Sequence, residues 1–362
     1  MALLGLVMIV KNEAHGIAET IASVRSHIDR WTILDTGSTD GTQDVIRREL
    51  ESIPGQLIEE PFVDFATSRN RALELHGTST TFTIMLDSDD RLHVIGDGLR
   101  KFLSNARPDG AHLIQRRGDT SWWVPLVLFT PMRWRYAGRV HEYIAGGITT
   151  SRIPHVSVSQ VRGPRSSAAS RARWERDLAL LLEDDAKIPN EPRTVFYLAQ
   201  TYECLGSLGE AAQHYQRRID IGGWADETFE AMLRKAKIRA QLEHAWPDVQ
   251  QAFLEAHAFD PSRAEPLIEI AEHWRAVDNM PLCYLFASRA LDIPMPSSGL
   301  FVDVKAYELT AADLVAISAF YVGRQTGSEA VFKRGQEAAW KAWQARPTDE
   351  RVIANLGFYD GH

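Results

Sequence analysis

Short apolar runs alternate with amphipathic stretches along residues 1–160. The apolar runs include LLGLVMIV, RWTILDT, QLIEE and TFTIML, and the stretches between them include GIAETIASVRSHI, GTQDVIRRELESI and DFATSRNRALELH. Short apolar runs bounded by polar residues predict buried strands, and apolar positions three and four apart predict helices. The alternation therefore predicts an α/β domain whose mostly parallel sheet is covered by helices on both faces.

The second half of the chain reads as helix almost throughout. The segment GPRSSAAS has the composition of a linker, which predicts an α/β domain over residues 1–162, a linker over 163–172 and an all-α domain over 173–362. RTVFYLAQTYECLGSLGEAAQHYQRRIDIG, from 193 to 222, places small and aromatic residues as a helix-turn-helix repeat does. Pro261 and Pro294 are 33 residues apart. This spacing is close to the tetratricopeptide period of about 34 residues.

Composition limits the class of protein. A chain of 362 residues, 44% hydrophobic and 24% charged, is a globular protein with room for two domains, and its net charge of -8 argues against a general nucleic-acid binder. Cys204 and Cys283 form no disulfide framework, and we expect buried, reduced thiols in a cytoplasmic protein. The N-terminal apolar run is too short to span a membrane and lacks the features of a signal peptide, so we expect a strand there.

Polar clusters follow three of the predicted strands. Lys11, Asn12 and Glu13 follow the first strand, DTGSTDGT from Asp35 follows the second, and DSDD from Asp87 follows the fourth. Ligands of open α/β sheets bind at the carboxyl ends of the strands, so the clusters predict a binding site at one edge of the sheet.

The aspartates of DSDD carry the most specific chemistry. Asp87 and Asp89 are one residue apart and can share Mg²⁺ or Mn²⁺ with the phosphates of a nucleotide, and Asp90 could take the place of either. The alternative is a solvated acidic turn or helix cap. Asp35 can accept hydrogen bonds from a base or ribose, although its segment alone is no more than a good helix cap.

Four motifs together resemble a known family. VMIVKNEA, ILDTGSTDGT, ATSRNRALE and IMLDSDDRL resemble, in order and spacing, the motifs of family 2 glycosyltransferases of the GT-A fold. The downstream half is similar to a subgroup in which a tetratricopeptide-like domain follows the catalytic domain. The resemblance implies transfer of a sugar from a nucleotide sugar, commonly UDP-linked, with inversion, and with Mn²⁺ or Mg²⁺ as the cofactor.

The resemblance also assigns residues. It implies that Asp89 contacts the metal and that Asp87 contacts the ribose and the metal. The nucleotide-sugar residues that it implies are Val10, Asn12, Glu13, Asp35, Gly37, Asp40, Arg69, Asp87 and Ser88. Many members carry a second carboxylate before the glycine, where this chain has Thr36, so the contact to the base and the identity of the base stay open.

An inverting transfer needs a general base to take the proton of the acceptor. His141 and Glu142 lie together in WRYAGRVHEYI, and in a strand only one of two neighbours faces the site. By resemblance Glu142 is the candidate base and His141 its competitor. His155, in RIPHVSV, is the candidate third metal ligand, with a hydrogen-bonded core histidine as the alternative.

The acceptor is the least specified part. Trp122 and Trp123 lie in a predicted strand, which would bury one indole and leave the other to line an acceptor site. A repeat domain forms a concave surface suited to a peptide or protein, which we expect ahead of a surface glycan. A nucleic-acid acceptor is supported only by the basic segment 162–176.

Two other classes of protein were weighed. An inactive helical-repeat scaffold is disfavoured because Asp87, Asp89, His141 and Glu142 are all present. A sugar nucleotidyltransferase needs a glycine-rich basic loop after the first strand, and VMIVKNEAHG contains none.

Overall fold

The computed structural model describes residues 2–106, 110–145, 150–161 and 167–359. The chain divides into two compact units. The first comprises Met1–Gly118 with Trp122–Glu183, and the second comprises Asp119–Ser121 with Asp184–His362. No described helix is both long and apolar enough to cross a membrane.

The first unit is built on a mixed sheet. Its strands are β1 Ala2–Val10, β2 Arg30–Asp35, β3 Gly55–Glu59, β4 Thr80–Met85, β5 Asp90–Val94, β6 Ala111–Arg117, β7 Thr120–Phe129, β8 Tyr136–Ala137, β9 Tyr143–Ile144 and β10 Thr150–Gln160. Its helices are α1 Ile17–Val24, α2 Thr42–Leu50, α3 Phe65–His76, α4 Gly98–Asn105 and α5 Ser167–Lys187, with short 3₁₀ turns at Arg25–His27 and Thr130–Met132.

The strand order of the sheet is β3-β2-β1-β4-β7-β6-β10-β5, and β8 and β9 form a separate hairpin. The strands β3, β2, β1 and β4 are parallel, so their carboxyl ends meet at one edge. β7 runs antiparallel to β4, and β5 runs antiparallel to β10. The strand and helix alternation predicted from the sequence is confirmed over this region, and the α/β fold class with it.

Both faces of the sheet are covered. One core cluster includes Leu6, Met8 and Ile84 with Ile21 of α1, and a smaller cluster on the other face includes Val7, Leu34 and Met85 with Ala72 of α3. Central parallel strands are buried on both faces, which is why β1 is apolar along nearly its whole length.

Gly5 is required by a close approach in β1. A Cβ atom at this position would lie 2.4 Å from the imidazole ring of His76. That ring is buried, with Nδ1 3.0 Å from the Thr32 hydroxyl and Nε2 2.9 Å from the Thr80 hydroxyl. The absence of a side chain at Gly5 therefore lets a hydrogen-bonded histidine sit on the sheet.

The second unit is helical. Its helices are α6 Pro192–Leu205, α7 Leu208–Ile221, α8 Ala225–Gln241, α9 Trp246–Phe259, α10 Glu265–Ala276, α11 Met280–Leu291, α12 Ala311–Thr326, α13 Glu329–Ala345 and α14 Glu350–Gly357. A two-residue strand, β11 Val302–Asp303, and a π-helical turn, Ala306–Thr310, precede α12.

Successive helices of this unit pack as antiparallel pairs through small residues. Gly335 of α13 faces Ala319 of α12 so closely that an added Cβ atom would lie 2.7 Å from the Ala319 methyl group. α6 ends at Gly206 and α12 ends at Gly327, both in the left-handed conformation that terminates helices. The predicted all-α class of the second domain is confirmed.

The boundary between the domains differs in detail from the predicted linker. Residues 162–166 lie outside the described part of the chain, and residues 167–172 form the first turns of α5 rather than an extended segment. The first unit continues along α5 to Glu183. Residues 167–172 contain three Ala and one Arg, both strong helix formers, so the linker-like composition of this segment does not exclude a helix.

The two cysteines differ in environment. Cys283 is buried, as expected, and burial raises the pKa of its thiol to about 11. Cys204 is exposed, so the expectation of a buried thiol was wrong there.

Candidate functional site

The loops that follow β1 and β2 are tied together by side chains that the sequence singled out. Asn12 accepts a hydrogen bond from the Thr39 amide at 2.8 Å, and its own amide donates to the Ser38 hydroxyl at 2.8 Å. Asp40 accepts from the Ala14 amide at 3.0 Å. Asn12 and Asp40 therefore shape the edge of the sheet by joining its loops.

Glu13 belongs to the same junction. Its amide donates to the Thr42 hydroxyl at 2.8 Å, and its carbonyl accepts from the Ile17 amide at the start of α1. The Glu13 side chain is a quarter exposed.

Asp35 is buried at the end of β2, and only one of its two carboxylate oxygens accepts hydrogen bonds from the described residues. Its Oδ1 accepts from the amides of Gly37 and Ser38 at 2.8 and 2.7 Å. Its Oδ2 is buried and accepts no hydrogen bond from any residue that the structure describes. A buried acceptor without a donor is costly, so this oxygen is able to accept a hydrogen bond from a ligand.

Thr36 replaces the second carboxylate of the family pattern. Both its amide and its hydroxyl donate to the carbonyl of Val10, at 2.9 and 3.0 Å. The Thr36 hydroxyl is thus committed to the end of β1, and Val10 acts here through its backbone.

The carboxylates of Asp87, Asp89 and Asp90 converge after β4. Each places one oxygen within 4.8 Å of the others, a spacing that suits a shared cation. Thr20 of α1 donates to the Ser88 carbonyl, which fixes the turn that carries them. The structure therefore brings the predicted D-x-D residues together.

Asp90 is the structural member of this cluster. Its side chain is completely buried, pairs with Arg116 of β6, and accepts from the Asp87 amide at 3.0 Å. Burial and the neighbouring Asp87 charge raise the pKa of Asp90 to about 6, although Arg116 opposes the shift. Asp89 is more accessible and accepts from the Gln160 amide at 3.1 Å.

Arg69 connects this cluster to the candidate base. It is 8% exposed, and it donates from Nη2 to Asp87 Oδ1 and from Nε to Glu142 Oε1, the latter at 2.7 Å. Burial alone would raise the pKa of Asp87, but the Arg69 guanidinium holds it below its ordinary value. One arginine thus donates charge-assisted hydrogen bonds to both carboxylates.

His141 and Glu142 lie in a loop and not in a strand. β9 begins only at Tyr143, and His141 adopts a left-handed backbone with φ 51°, so the strand alternation expected for this pair was wrong. Glu142 points to Arg69 with its side chain 15% exposed, whereas His141 is exposed. Arg139 joins the loop to α5 through Glu183 Oε2 at 2.9 Å and the Leu180 carbonyl at 2.8 Å.

His155 does not join the carboxylate cluster. The antiparallel register of β10 with β5 pairs Gln160 with Asp90, whereas the His155 carbonyl accepts from the Ile95 amide at the opposite end of these strands. Five residues of strand span about 17 Å, too far for a shared ion. The exposed His155 ring instead lines a cavity of about 400 Å³ with Lys101 and Phe102. The predicted third ligand was therefore wrong.

Trp122 and Trp123 lie in β7, as predicted, but both indoles are half-buried, so the expected contrast between them was wrong. β7 runs antiparallel to β4, and Ile84 of β4 pairs with Val127 of β7. The part of β7 that carries Trp122 and Trp123 therefore extends past the carboxyl end of β4, on the side where Asp87 lies. The Arg152 guanidinium covers the Trp123 ring at 4.8 Å.

Two residues of the site were missed in the sequence. Arg116 forms an ion pair with the buried Asp90 carboxylate. The ring of Tyr136 lies 5.6 Å from the guanidinium carbon of Arg69. The string WRYAGRVHEYI contains Tyr136 but gives no local sign that it reaches α3, because the contact depends on the β8–β9 hairpin.

Fold and site together define an α/β domain with a convergent carboxylate cluster. Residues 6–125 match the sequence model of glycosyl transferase family 2. The N-terminal domain of this chain is therefore similar to that family, whose members transfer a sugar from a nucleotide sugar. No curated protein matches the chain.

Solved structures resemble about half of the chain. The crystal structure of MamA has 12% identity and a TM-score of 0.36 over 51% of this chain and 99% of its own. YrrB, described as a TPR protein with an unusual peptide-binding site, has 11% identity and a TM-score of 0.35 over 51% and 84%. A thermophilic TPR protein of Thermus thermophilus, TTC0263, has 15% identity and a TM-score of 0.29 over 52% and 91%.

Proposed function

We propose that the protein transfers a sugar from a UDP-linked donor to an acceptor hydroxyl, with inversion at the anomeric carbon. The observation that carries the proposal is the bridge from Asp87 through Arg69 to Glu142, beside the carboxylate cluster of a family 2 domain. It joins the candidate metal end of the site to a candidate base.

Asp87 and Asp89 are the proposed ligands of Mn²⁺ or Mg²⁺. Arg69 uses one oxygen of Asp87 and Gln160 uses one oxygen of Asp89, which leaves the second oxygen of each carboxylate for a hard cation. When bound, the cation neutralises the charge that develops on the departing diphosphate. Asp90 supports the turn and is not proposed as a ligand, because Arg116 and the Asp87 amide use it.

The nucleoside is placed at the ends of β1 and β2. Asp35 Oδ2 lacks a donor among the described residues, and the imide N–H of uracil would supply one. Gly37, with φ 103°, and the cross-linked loop residues Asn12 and Asp40 keep the backbone around Asp35 in place.

Glu142 is the proposed general base. Arg69 orients one of its oxygens, and the other remains to take the proton of the acceptor hydroxyl as that oxygen attacks the sugar. His141 is the competing candidate, since it is adjacent and exposed.

The acceptor is proposed to be a peptide or protein. The second unit supplies paired helices of the kind that form extended binding surfaces, and Trp122 and Trp123 offer partly exposed indoles beyond the end of β4. Cys204 and Cys283 are not joined in a disulfide, which fits a cytoplasmic location.

A donor screen tests this proposal. UDP, GDP and dTDP sugars are combined with Mn²⁺ or Mg²⁺, and thermal shift and nucleotide release are followed. We expect a metal-dependent shift with UDP sugars that Asp89→Ala abolishes, whereas Asp44→Ala, an exposed aspartate of α2, changes nothing. Absence of binding by every nucleotide sugar would refute the proposal.

A further inference from the structure

Tyr136 is a half-buried tyrosine whose backbone and ring are both held in place by other residues. Its backbone is clamped by the Asn70 side chain, which accepts from the Tyr136 amide at 2.8 Å and donates to the Tyr136 carbonyl at 2.9 Å. Its ring lies 5.6 Å from the guanidinium carbon of Arg69, and the side chain packs against the buried cluster that includes Ala72. Asn70, Ala72 and Arg69 all belong to α3, so one helix sets the position of this side chain.

The hydroxyl group of Tyr136 is left without a use in the fold. Within the described residues it neither donates nor accepts a hydrogen bond, whereas the hydroxyls of Tyr215, Tyr307 and Tyr359 are all bonded to protein groups. A polar group held this firmly at a site and not bonded to protein is available to a ligand.

The surroundings of this hydroxyl define the group it can bind. Burial raises the pKa of Tyr136 to about 12, with the charges of Asp87 and Glu142 adding to the shift and Arg69 opposing it, so the hydroxyl stays a neutral donor. Asp87 and Glu142 each have one oxygen engaged by Arg69. A neutral donor beside two carboxylates suits a sugar hydroxyl, which accepts from the tyrosine and donates to a carboxylate oxygen.

We propose that the Tyr136 hydroxyl binds a hydroxyl group of the sugar that is transferred, and so helps to select the donor sugar. The inference rests on the proposed function, in which the diphosphate lies at the Asp87 end and the acceptor lies at Glu142. The transferred sugar must then lie between them, and Tyr136 contacts the arginine that joins these two residues.

Tyr136→Phe removes only the hydroxyl group and keeps the ring on Arg69. We expect kcat/KM for the preferred sugar nucleotide to fall roughly tenfold, as for the loss of one neutral hydrogen bond. Free UDP, which carries no sugar, should bind the variant as it binds the wild type. Donor analogues in which one sugar hydroxyl is replaced by hydrogen identify the group that Tyr136 binds. The analogue that lacks this group should give the same kcat/KM with the wild type and with Tyr136→Phe.

Tyr321→Phe, at an exposed tyrosine of α12, is the matched control and should behave as the wild type. Thermal unfolding of both variants checks that the fold is kept. An unchanged kcat/KM for Tyr136→Phe with every sugar, in a wild-type protein that transfers sugar, would overturn the inference and leave the proposed function standing. Equal weakening of free UDP binding would also overturn it. A wild-type protein without nucleotide-sugar binding would remove the proposed function itself.

Discussion

Arg69 and Glu142 form an ion pair at 2.7 Å although they are 73 residues apart in the chain. The same guanidinium holds Asp87, so one buried arginine fixes the spacing between a proposed metal ligand and a proposed base. Arg69 donates to Glu142 from Nε and to Asp87 from Nη2. This arrangement needs a planar group with several donors, because a compact ammonium group cannot reproduce both hydrogen bonds in the same geometry.

Arg69→Lys tests that requirement. The ammonium group keeps the charge but not the fork, so we expect transfer to fall by one to two orders of magnitude, with a smaller loss in the affinity for UDP. Arg71→Lys is the matched control, since Arg71 lies on the same helix, is exposed, and pairs with the partly exposed Glu60. Equal activities of the two variants would show that Arg69 is only a structural charge.

Glu142→Gln separates binding from chemistry. The amide keeps the size of the side chain and can still accept from Arg69 Nε, but it cannot take a proton, so donor binding should persist while transfer falls by roughly 10²–10⁴-fold. The measurement is the turnover of the wild type and the variant at saturating donor. Retained turnover, together with its loss in His141→Gln, would move the base to His141.

The stability of the protein should depend on the protonation of His76. Burial, and to a lesser extent the Arg30 charge, lowers the pKa of His76 to about 4 in the folded state, against 6.5 in the unfolded chain. Between these values the unfolded chain binds more protons, so the free energy of unfolding falls as the pH falls from 6.5 to 4, by about 3 kcal/mol in total.

Urea unfolding at pH 7 and pH 4.5 measures this dependence. His76→Gln should lose that part of the pH dependence, whereas His15→Gln, at a side chain that is 70% exposed, should keep it. The same slope in all three proteins would show that His76 does not titrate as described.

Gly5→Ala should destabilise the first unit. The new methyl group would lie 2.4 Å from the buried His76 ring, and overpacking of this kind costs about 1–3 kcal/mol. Gly209→Ala, in α7 with open space around the new atom, should instead stabilise by about 0.5–1 kcal/mol. Urea unfolding of both variants compares them, and a neutral Gly5→Ala would mean that His76 can move aside.

The predictable parts of the fold are those that local pattern determines. Apolar runs predict the strands β1 and β4, and the spacing of apolar residues predicts α3, because burial of one face of an element imposes a pattern on adjacent residues. The position of Asp35 and Asp87 at one edge followed from the parallel connection of strands.

The features of the site that the sequence does not predict depend on the pairing of strands that are distant in the chain. The family resemblance predicts His155 as a metal ligand, but the register of β10 with β5 places Gln160, and not His155, beside the carboxylates. The pairing of Asp90 with Arg116 likewise needs β5 and β6 to be placed in the sheet. Sequence spacing carries no information on register without the partner strand.

Metal-dependent binding of UDP is the most direct test of the central claim. The dissociation constant of UDP is measured by calorimetry with Mn²⁺ and with a chelator, for the wild type, Asp89→Asn and the control Asp44→Asn. The account predicts that binding to the wild type and the control requires the metal, and that Asp89→Asn binds UDP weakly and equally in both conditions. UDP affinity that is unaffected by the chelator in the wild type, or metal-dependent binding that Asp89→Asn retains in full, would contradict it.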